Sequence, residues 1–260
     1  MAKRPHFLIS NDDGIHAPGI MALLEVAREL GETTVVAPNS AQSAMGHAIS
    51  IGKPLRIYQE ELPGGLIGHA VSGTPADCVK IATGVVMKTQ PDLILSGINH
   101  GANSSVSAIY SGTLSAAREG ALQGLPAIGF SLCHFPHEGD MSAAKIVAKT
   151  VIEHALTSKL LPGQCLNVNI PYLPIEKIKG IRITRQAMGR WMEEFDERTD
   201  PYGRKYYWLT GKFILQDKGV DTDEHALAEG YVSITPMSHD LTAHHQLPAL
   251  TEWPWELPAS

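Results

Sequence analysis

The chain has 260 residues, of which 43% are hydrophobic and 18% are charged, a composition that excludes a mainly disordered protein. Its net charge is −6 at pH 7, which argues against the basic surface of a nucleic-acid-binding protein. No apolar run is long enough to span a bilayer, so we predict a small-molecule ligand and neither a nucleic-acid nor a membrane partner.

The cysteines and the first residues bear on the location of the protein. Cys78, Cys133 and Cys165 form no CxxC motif and are interpreted as reduced core thiols. The opening segment MAKRPHFLIS passes from basic residues into a short apolar run and has no long apolar region of the secretory type. Both observations favour the cytoplasm.

The beginning of the chain alternates between strand and helix patterns. Residues 6–10 are a short apolar run typical of a buried strand. In residues 18–30 the apolar positions recur at helical spacing between Pro18 and Gly31, which favour a helix start and a helix end. Residues 33–38 predict a second strand, and a strand, helix and strand in this order form a right-handed parallel crossover.

The alternation continues beyond a Pro- and Gly-rich stretch at residues 53–73. The further predicted elements are a helix from Ala76, a strand at 92–96, a helix at 113–122, a strand at 126–132, a helix at 141–156 and a strand at 165–171. This order predicts an α/β fold, Rossmann-like and doubly wound, with a mostly parallel sheet.

The pattern changes near Lys177 to short β-like pieces separated by charged and aromatic stretches. We therefore predict a Rossmann-like core at residues 1–176 and a β-rich extension with a C-terminal arm at 177–260. The extension is expected to belong to the same domain and to the oligomer interface. The ending EWPWELPAS either docks on a neighbouring surface or is a disordered tail.

Four loops are candidates for the ligand site, because ligands of open parallel sheets bind outside the carboxyl ends of the strands. These loops are Asn11–Gly14, Asn39–Gly46, Gly97–Asn103 and Tyr110–Thr113. All four can converge on one crevice.

Asp12 and Asp13 are adjacent carboxylates in the first of these loops. In a regular strand they would point to opposite faces, but a turn that opens at Gly14 lets both face one cation. Oxygen ligands without His or Cys suit Mg²⁺, Mn²⁺ or Ca²⁺ better than zinc. The pair predicts a divalent-metal site, and the alternative is an Asx-turn that caps the junction of strand and helix.

The other loops offer groups that bind a phosphate. The glycines of residues 97–103 let the backbone approach a ligand closely, although a plain glycine-rich turn is the alternative. The Ser-Gly-Thr sequence at 111–113 opens a predicted helix, so hydroxyls and free N–H groups meet there in a possible anion site or an ordinary N-cap. Residues 74–77 are interpreted as a capped helix start. The chain has no GxSxG, P-loop or GxGxxG motif.

Taken together, the motifs resemble those of the survival protein SurE family. In chain order they are NDDG at 11–14, APNSAQSAMGHAIS at 37–50, SGTPADCV at 72–79, SGINHGAN at 96–103, YSGTLSAAREG at 110–120 and GYVSITPMSHDLTA at 230–243. The resemblance implies a metal-dependent 5′-nucleotidase, which often acts on 3′-nucleotides as well and in some members on short polyphosphate. It also implies a Rossmann-like core and swapped-arm homodimers or homotetramers.

By motif, the family's metal ligands correspond here to Asp12, Asp13, Ser43 and Asn99. One ion per subunit, Mg²⁺ or Mn²⁺, would bind a phosphate oxygen and activate a water, with Asp12 or Asp13 taking the proton of that water. The predicted substrate-binding residues come from the same loops and are Asn11, Asn103, Ser111, Gly112 and Thr113.

One departure concerns substrate preference. Many relatives read Arg-Ser-Gly where this chain has Gln42-Ser43-Ala44, so the preferred base stays open.

Two alternative functions also remain at this point. One is a zinc N-deacetylase, which also places a DD pair after a first strand but requires paired His ligands, and the other is a nucleotide sensor that binds without hydrolysis.

Overall fold

The computed structural model describes residues 4–135, 139–255 and 257. Within these ranges, eleven strands form a central sheet and a separate hairpin. They are β1 (His6–Ser10), β2 (Glu32–Pro38), β3 (Ile57–Leu62), β4 (Leu66–Val71), β5 (Leu93–His100), β6 (Ala127–Cys133), β7 (Cys165–Pro171), β8 (Ile181–Ile183), β9 (Gly189–Thr199), β10 (Lys205–Leu215) and β11 (Val232–Met237).

The central sheet has nine strands in the order β3-β4-β2-β1-β5-β6-β7-β11-β8. Neighbours run parallel except at two pairs, β3 with β4 and β7 with β11. In the middle of the sheet, Ile9 of β1 lies between Val35 of β2 and Leu95 of β5. The predicted α/β class with a mostly parallel sheet is confirmed.

Helices cover both faces of this sheet. The helices of the described residues are α1 (Pro18–Leu30), α2 (Pro75–Ile81), α3 (Ser107–Tyr110), α4 (Gly112–Leu122), α5 (Ser142–Thr157), α6 (Asp223–Ala228) and α7 (Leu247–Thr251), with a π-helical turn at Ala82–Val86. Of these, α1 and α5 lie on one face of the sheet and α2 and α4 on the other. Successive side chains of β1 enter opposite layers, since Phe7 and Ile9 join the core under α1 and α5 while Leu8 joins the core under α2 and α4. The molecule is therefore doubly wound.

Helix α1 has the predicted bounds, and its start approaches β5 closely. A Cβ added at Gly19 would lie 1.8 Å from the carbonyl oxygen of Ile98, so only glycine allows this contact. At the other end, the N–H of Gly31 donates to the carbonyl of Ala27 and completes the last turn. The beginning of α1 is thereby held against the end of β5, where the site lies.

The structure differs from the sequence-based expectation in three places. The stretch at 53–73 contains the hairpin of β3 and β4, whose turn at Gly64 and Gly65 has φ of 79° and 71°. Strand β5 continues four residues past 96, to His100. The β-like piece at 205–211 belongs to the long hairpin of β9 and β10. These strands were missed or shortened because polar residues interrupt their apolar pattern.

The C-terminal region adds β8 and β11 to the same nine-stranded sheet, while the division at residue 176 stays a prediction. The arm after β11 includes α7, and its residues 256 and 258–260 lie outside the described part of the chain.

All three cysteines are free thiols, of which Cys78 and Cys165 are buried. Within the described ranges, no helix has both the length and the apolar character needed to cross a bilayer.

Candidate functional site

Asp12 follows β1 and is buried against the start of α4. Its side chain is so close that a Cβ added at Gly112 would lie 2.6 Å from the Cβ of Asp12 and 2.8 Å from its Oδ2. The hydroxyl of Thr113 donates a hydrogen bond to Oδ1 of Asp12. The carboxylate thus lies at the positive end of a helix, which favours a negative charge there.

The protonation of Asp12 reflects this environment. Burial raises the pKa of Asp12 to about 6, and the hydrogen bond from Thr113 opposes that rise. The negative charge of Asp13 raises the pKa of Asp12 further. In the protein alone, the surroundings of Asp12 therefore do not compensate the negative charge of its ionised carboxylate.

Asp13 supplies a buried oxygen that suits a cation. Its Oδ2 accepts no hydrogen bond from the described residues, and the ring Nδ1 of His100 lies 3.7 Å from it. A buried carboxylate oxygen without a donor is unfavourable, whereas a divalent cation would satisfy it. His100 was not singled out from the sequence.

The position of Asn99 depends on an irregularity in the pairing of β5 with β6. The register between β5 and β6 shifts between Ser96 and Asn99. Gly97 has φ of 122°, and a Cβ there would lie 2.3 Å from the carbonyl oxygen of Phe130. Beyond the bulge, the side-chain N–H₂ of Asn99 donates to the carbonyl of Gly101 at 2.9 Å. No described residue donates a hydrogen bond to Oδ1 of Asn99, so this amide oxygen is available to a ligand.

Ser43 lies in the loop after β2, whose backbone contacts the Asp12 loop. The N–H of Gln42 donates to the backbone carbonyl of Asp12 at 2.7 Å, and the N–H of Gly46 donates to the carbonyl of Tyr110 at 3.0 Å. Ser43 itself is exposed between these two attachments. This loop at residues 39–56, called here the Ser43 loop, is thus attached both to the Asp12 loop and to the segment that precedes α4.

The chemistry of these donors fits a hard divalent cation. The predicted set consists of two carboxylates, one hydroxyl and one amide oxygen, from Asp12, Asp13, Ser43 and Asn99. Among the residues that the structure describes, no group of three or more His, Cys, Asp or Glu is arranged to hold a metal. Oxygen ligands of the predicted kind favour Mg²⁺ or Mn²⁺ over zinc.

Two predicted substrate ligands also have local structural roles. The side chain of Asn11 closes its own turn, donating to the carbonyl of Gly14 at 2.9 Å. The hydroxyl of Ser111 caps α4 by accepting from the N–H of Leu114 at 3.0 Å. The contact of Ser111 is that of the N-cap alternative, and contact with a substrate stays a prediction for both residues.

Asn103 is buried in a network of polar side chains. Its side-chain N–H₂ donates to the hydroxyl of Ser131 at 2.8 Å, and its backbone N–H donates to Oδ1 of Asn169 at 2.8 Å. Its carbonyl accepts from the amide of Asn167, also at 2.8 Å. The two asparagines of β7 fix the loop in place, and their spacing by two in CLNVNIP was the signal that would have revealed them.

The interpretation of residues 74–77 as a capped helix start is confirmed. Thr74 and Asp77 form a reciprocal capping box at the beginning of α2. Asp77 also accepts from the N–H of Ser50 at 3.0 Å, so this helix start holds the far end of the Ser43 loop.

The fold and the site define an α/β protein with an acidic, oxygen-lined site at the carboxyl edge of a parallel sheet. A family model described as Survival protein SurE matches residues 7–193. The 5′-nucleotidase SurE of Cytophaga hutchinsonii is 54% identical over 253 residues, covering 96% of this chain and 98% of that protein. The protein of the same name from Christiangramia forsetii is 53% identical, with coverage of 96% and 97%.

A solved structure shows the same similarity. The crystal structure of SurE protein from Aquifex aeolicus has a TM-score of 0.81 at 37% identity, covering 95% of this chain and 98% of that chain. The chain belongs to the survival protein SurE family. The resemblance identified from its motifs is thereby confirmed.

Proposed function

We propose that this protein is a divalent-metal-dependent 5′-nucleotidase that hydrolyses nucleoside 5′-monophosphates to nucleoside and phosphate. Relatives named 5′-nucleotidase SurE, similar over nearly the whole chain, support this activity. The structural observation that carries it is the acidic pair, in which Asp12 contacts the start of α4 and Asp13 has a buried oxygen to which no described residue donates a hydrogen bond. Hydrolysis of 3′-nucleotides and of short polyphosphate belongs to the same proposal.

Asp12, Asp13, Ser43 and Asn99 are the proposed ligands of one Mg²⁺ or Mn²⁺ ion per subunit. When bound, such an ion supplies positive charge that polarises a phosphate oxygen and lowers the pKa of a water molecule. The residues around the site hold these ligands in place. Thr113 orients Asp12, the amide of Asn99 is fixed on Gly101, and the Ser43 loop is attached to the backbone of Asp12.

The reaction also requires groups that bind phosphate and accept a proton. The start of α4 directs a positive helix end toward the acidic pair, which favours a phosphate beside it. One of the two carboxylates takes the proton of the attacking water. The proposed substrate-binding residues are Asn11, Asn103, Ser111, Gly112 and Thr113.

The relatives do not favour the other two functions considered from the sequence. They are named as nucleotidases, and neither a deacetylase nor a non-catalytic sensor is among those names.

We also propose a homodimer or homotetramer, because the hairpin of β9 and β10 exposes large apolar side chains such as Phe195 and Leu209. A cytoplasmic location is proposed from the three free thiols.

The test of the proposed activity is Asp12→Asn. We expect phosphate release from AMP with Mn²⁺ or Mg²⁺ to fall at least about 100-fold, since the substitution removes a ligand charge while keeping the side-chain shape. Asp140→Asn replaces an exposed carboxylate two residues before α5, serves as the matched control and should retain wild-type turnover. Unchanged turnover by Asp12→Asn, with no need for metal, would contradict the proposal.

A further inference from the structure

Glu119 is a buried carboxylate on α4 that belongs to none of the predicted ligand sets. Its residue is 3% exposed, and it accepts hydrogen bonds from Lys80 at 2.7 Å, His47 at 3.0 Å and Gln123 at 3.1 Å. Burial alone would raise the pKa of Glu119, but these hydrogen bonds outweigh it and hold that pKa at about 2. Glu119 is therefore a fully satisfied buried anion.

His47 connects this anion to the loop that carries Ser43. Its Nε2 donates to Glu119 Oε2, so a side chain four residues after Ser43 is fixed on α4. Between the backbone attachments at Gln42 and Gly46, Ser43 is exposed, and Ala44 has φ of 59°. Ser43 therefore lies in an exposed turn between two backbone attachments. His47 follows this turn in the chain, and its side chain attaches the loop to α4.

Helix α4 contacts two parts of the candidate site. Its first turn holds Asp12 through Gly112 and Thr113. Glu119 follows two turns later, about 10 Å along the axis, and holds the Ser43 loop through His47. One rigid helix therefore sets the position of both loops relative to each other.

We propose that Glu119 and His47 are positioning residues that keep the Ser43 loop in register with Asp12, so that the metal site is complete only while their hydrogen bond is intact. This inference rests on the proposed function, which makes Ser43 a metal ligand. Residues that orient metal ligands commonly change metal affinity by ten- to a hundredfold when they are lost.

The test compares two partners of the same carboxylate. His47→Ala removes the partner on the Ser43 loop, and Lys80→Met removes the partner on α2 while keeping most of the side-chain volume. His47→Gln restores an N–H donor. For each full-length variant, the Mn²⁺ affinity is obtained from the metal dependence of the melting temperature without substrate, and amide hydrogen exchange is followed over residues 42–47.

We expect about tenfold weaker Mn²⁺ binding and faster exchange over residues 42–47 in His47→Ala. His47→Gln should lie within about twofold of wild type. Lys80→Met should lower the melting temperature without weakening Mn²⁺ binding. Excess Mn²⁺ should restore kcat in His47→Ala, which a misfolded site would not show.

Ser43→Ala separates the two proposals. If Ser43→Ala weakens Mn²⁺ binding while His47→Ala binds as wild type, the positioning role is wrong and the ligand role stands. If Ser43→Ala itself binds Mn²⁺ as wild type, the ligand role is wrong and the inference falls with it. Equal weakening by Lys80→Met and His47→Ala would also overturn the positioning role, because it would reflect general damage around Glu119.

Discussion

Asp12 is a carboxylate whose placement suits a ligand better than it suits the stability of the metal-free protein. Burial is the main cause of its raised pKa, and the charge of Asp13 adds to it. A carboxyl group with a higher pKa in the folded state than in the unfolded state destabilises the fold when it is ionised. This cost is fully present above the folded pKa of about 6 and absent below the ordinary value of 3.8.

At the residue scale, Asp12→Asn should therefore stabilise the metal-free protein at high pH. In EDTA at pH 8, we expect the free energy of unfolding to rise by up to about 3 kcal/mol, since each pKa unit corresponds to about 1.4 kcal/mol. At pH 3.5 the wild-type carboxyl is mostly protonated in both states, and the difference should fall to a few tenths of a kcal/mol. Urea unfolding at both pH values measures this. An equal gain at the two pH values would show that the charge of Asp12 is not its cause.

The start of α4 is the element on which the geometry of the site depends most directly. Gly112 lets the helix approach Asp12 to a distance at which no other residue fits. Ser111 caps the same turn, and Thr113 donates to the carboxylate. Since Glu119 lies on the same helix, a displacement of α4 would reach the Ser43 loop as well.

At the element scale, Gly112→Ala should displace either Asp12 or the helix. Because its Cβ would lie 2.6 Å from that of Asp12, we expect a loss of about 1–3 kcal/mol in stability and a fall in phosphate release of at least about tenfold. Gly84→Ala is the matched control, because a Cβ at Gly84 meets no atom within 4 Å. Thermal unfolding and the AMP assay are the measurements. Wild-type activity in Gly112→Ala would contradict the close approach.

The hairpin of β9 and β10 is the feature that bears on the whole molecule. Its strands pair over their full length in a sheet of their own. Trp191, Phe195 and Leu209 lie on one face of the pairing and are 43%, 65% and 66% exposed. A two-stranded hairpin is marginally stable alone in water, so an apolar face of this size favours packing against a second copy.

At the whole-molecule scale, the double variant Phe195→Asp and Leu209→Asp should weaken self-association. Two charges on the apolar face would remain buried and unpaired in an oligomer, so the oligomer should dissociate at concentrations where wild type stays assembled. Sedimentation velocity over a concentration series measures this. Lys212→Glu, on the opposite face of the hairpin, is the control. An unchanged oligomer in the double variant would assign the interface to another surface.

The local sequence was sufficient for the elements whose signal is local. Strand β1 and helix α1 have the predicted bounds, because an apolar run or a 3.6-residue period between Pro18 and Gly31 needs no distant partner. Strands β3 and β9 were not predicted because their exposed, polar residues carry no such period. They are strands because a neighbouring strand pairs with them.

The sequence by itself also determined the family, since the order of the motifs is a property of the chain alone, and it predicted the four loops of the candidate site. Only the tertiary structure decided which groups meet in that site. His47 and Glu119 are 72 residues apart, and Thr113 and Asp12 are 101 apart. Such contacts depend on how α4 packs on the sheet. They could not be predicted because the packing of a helix reflects the whole core beneath it and leaves no local pattern in the residues that meet.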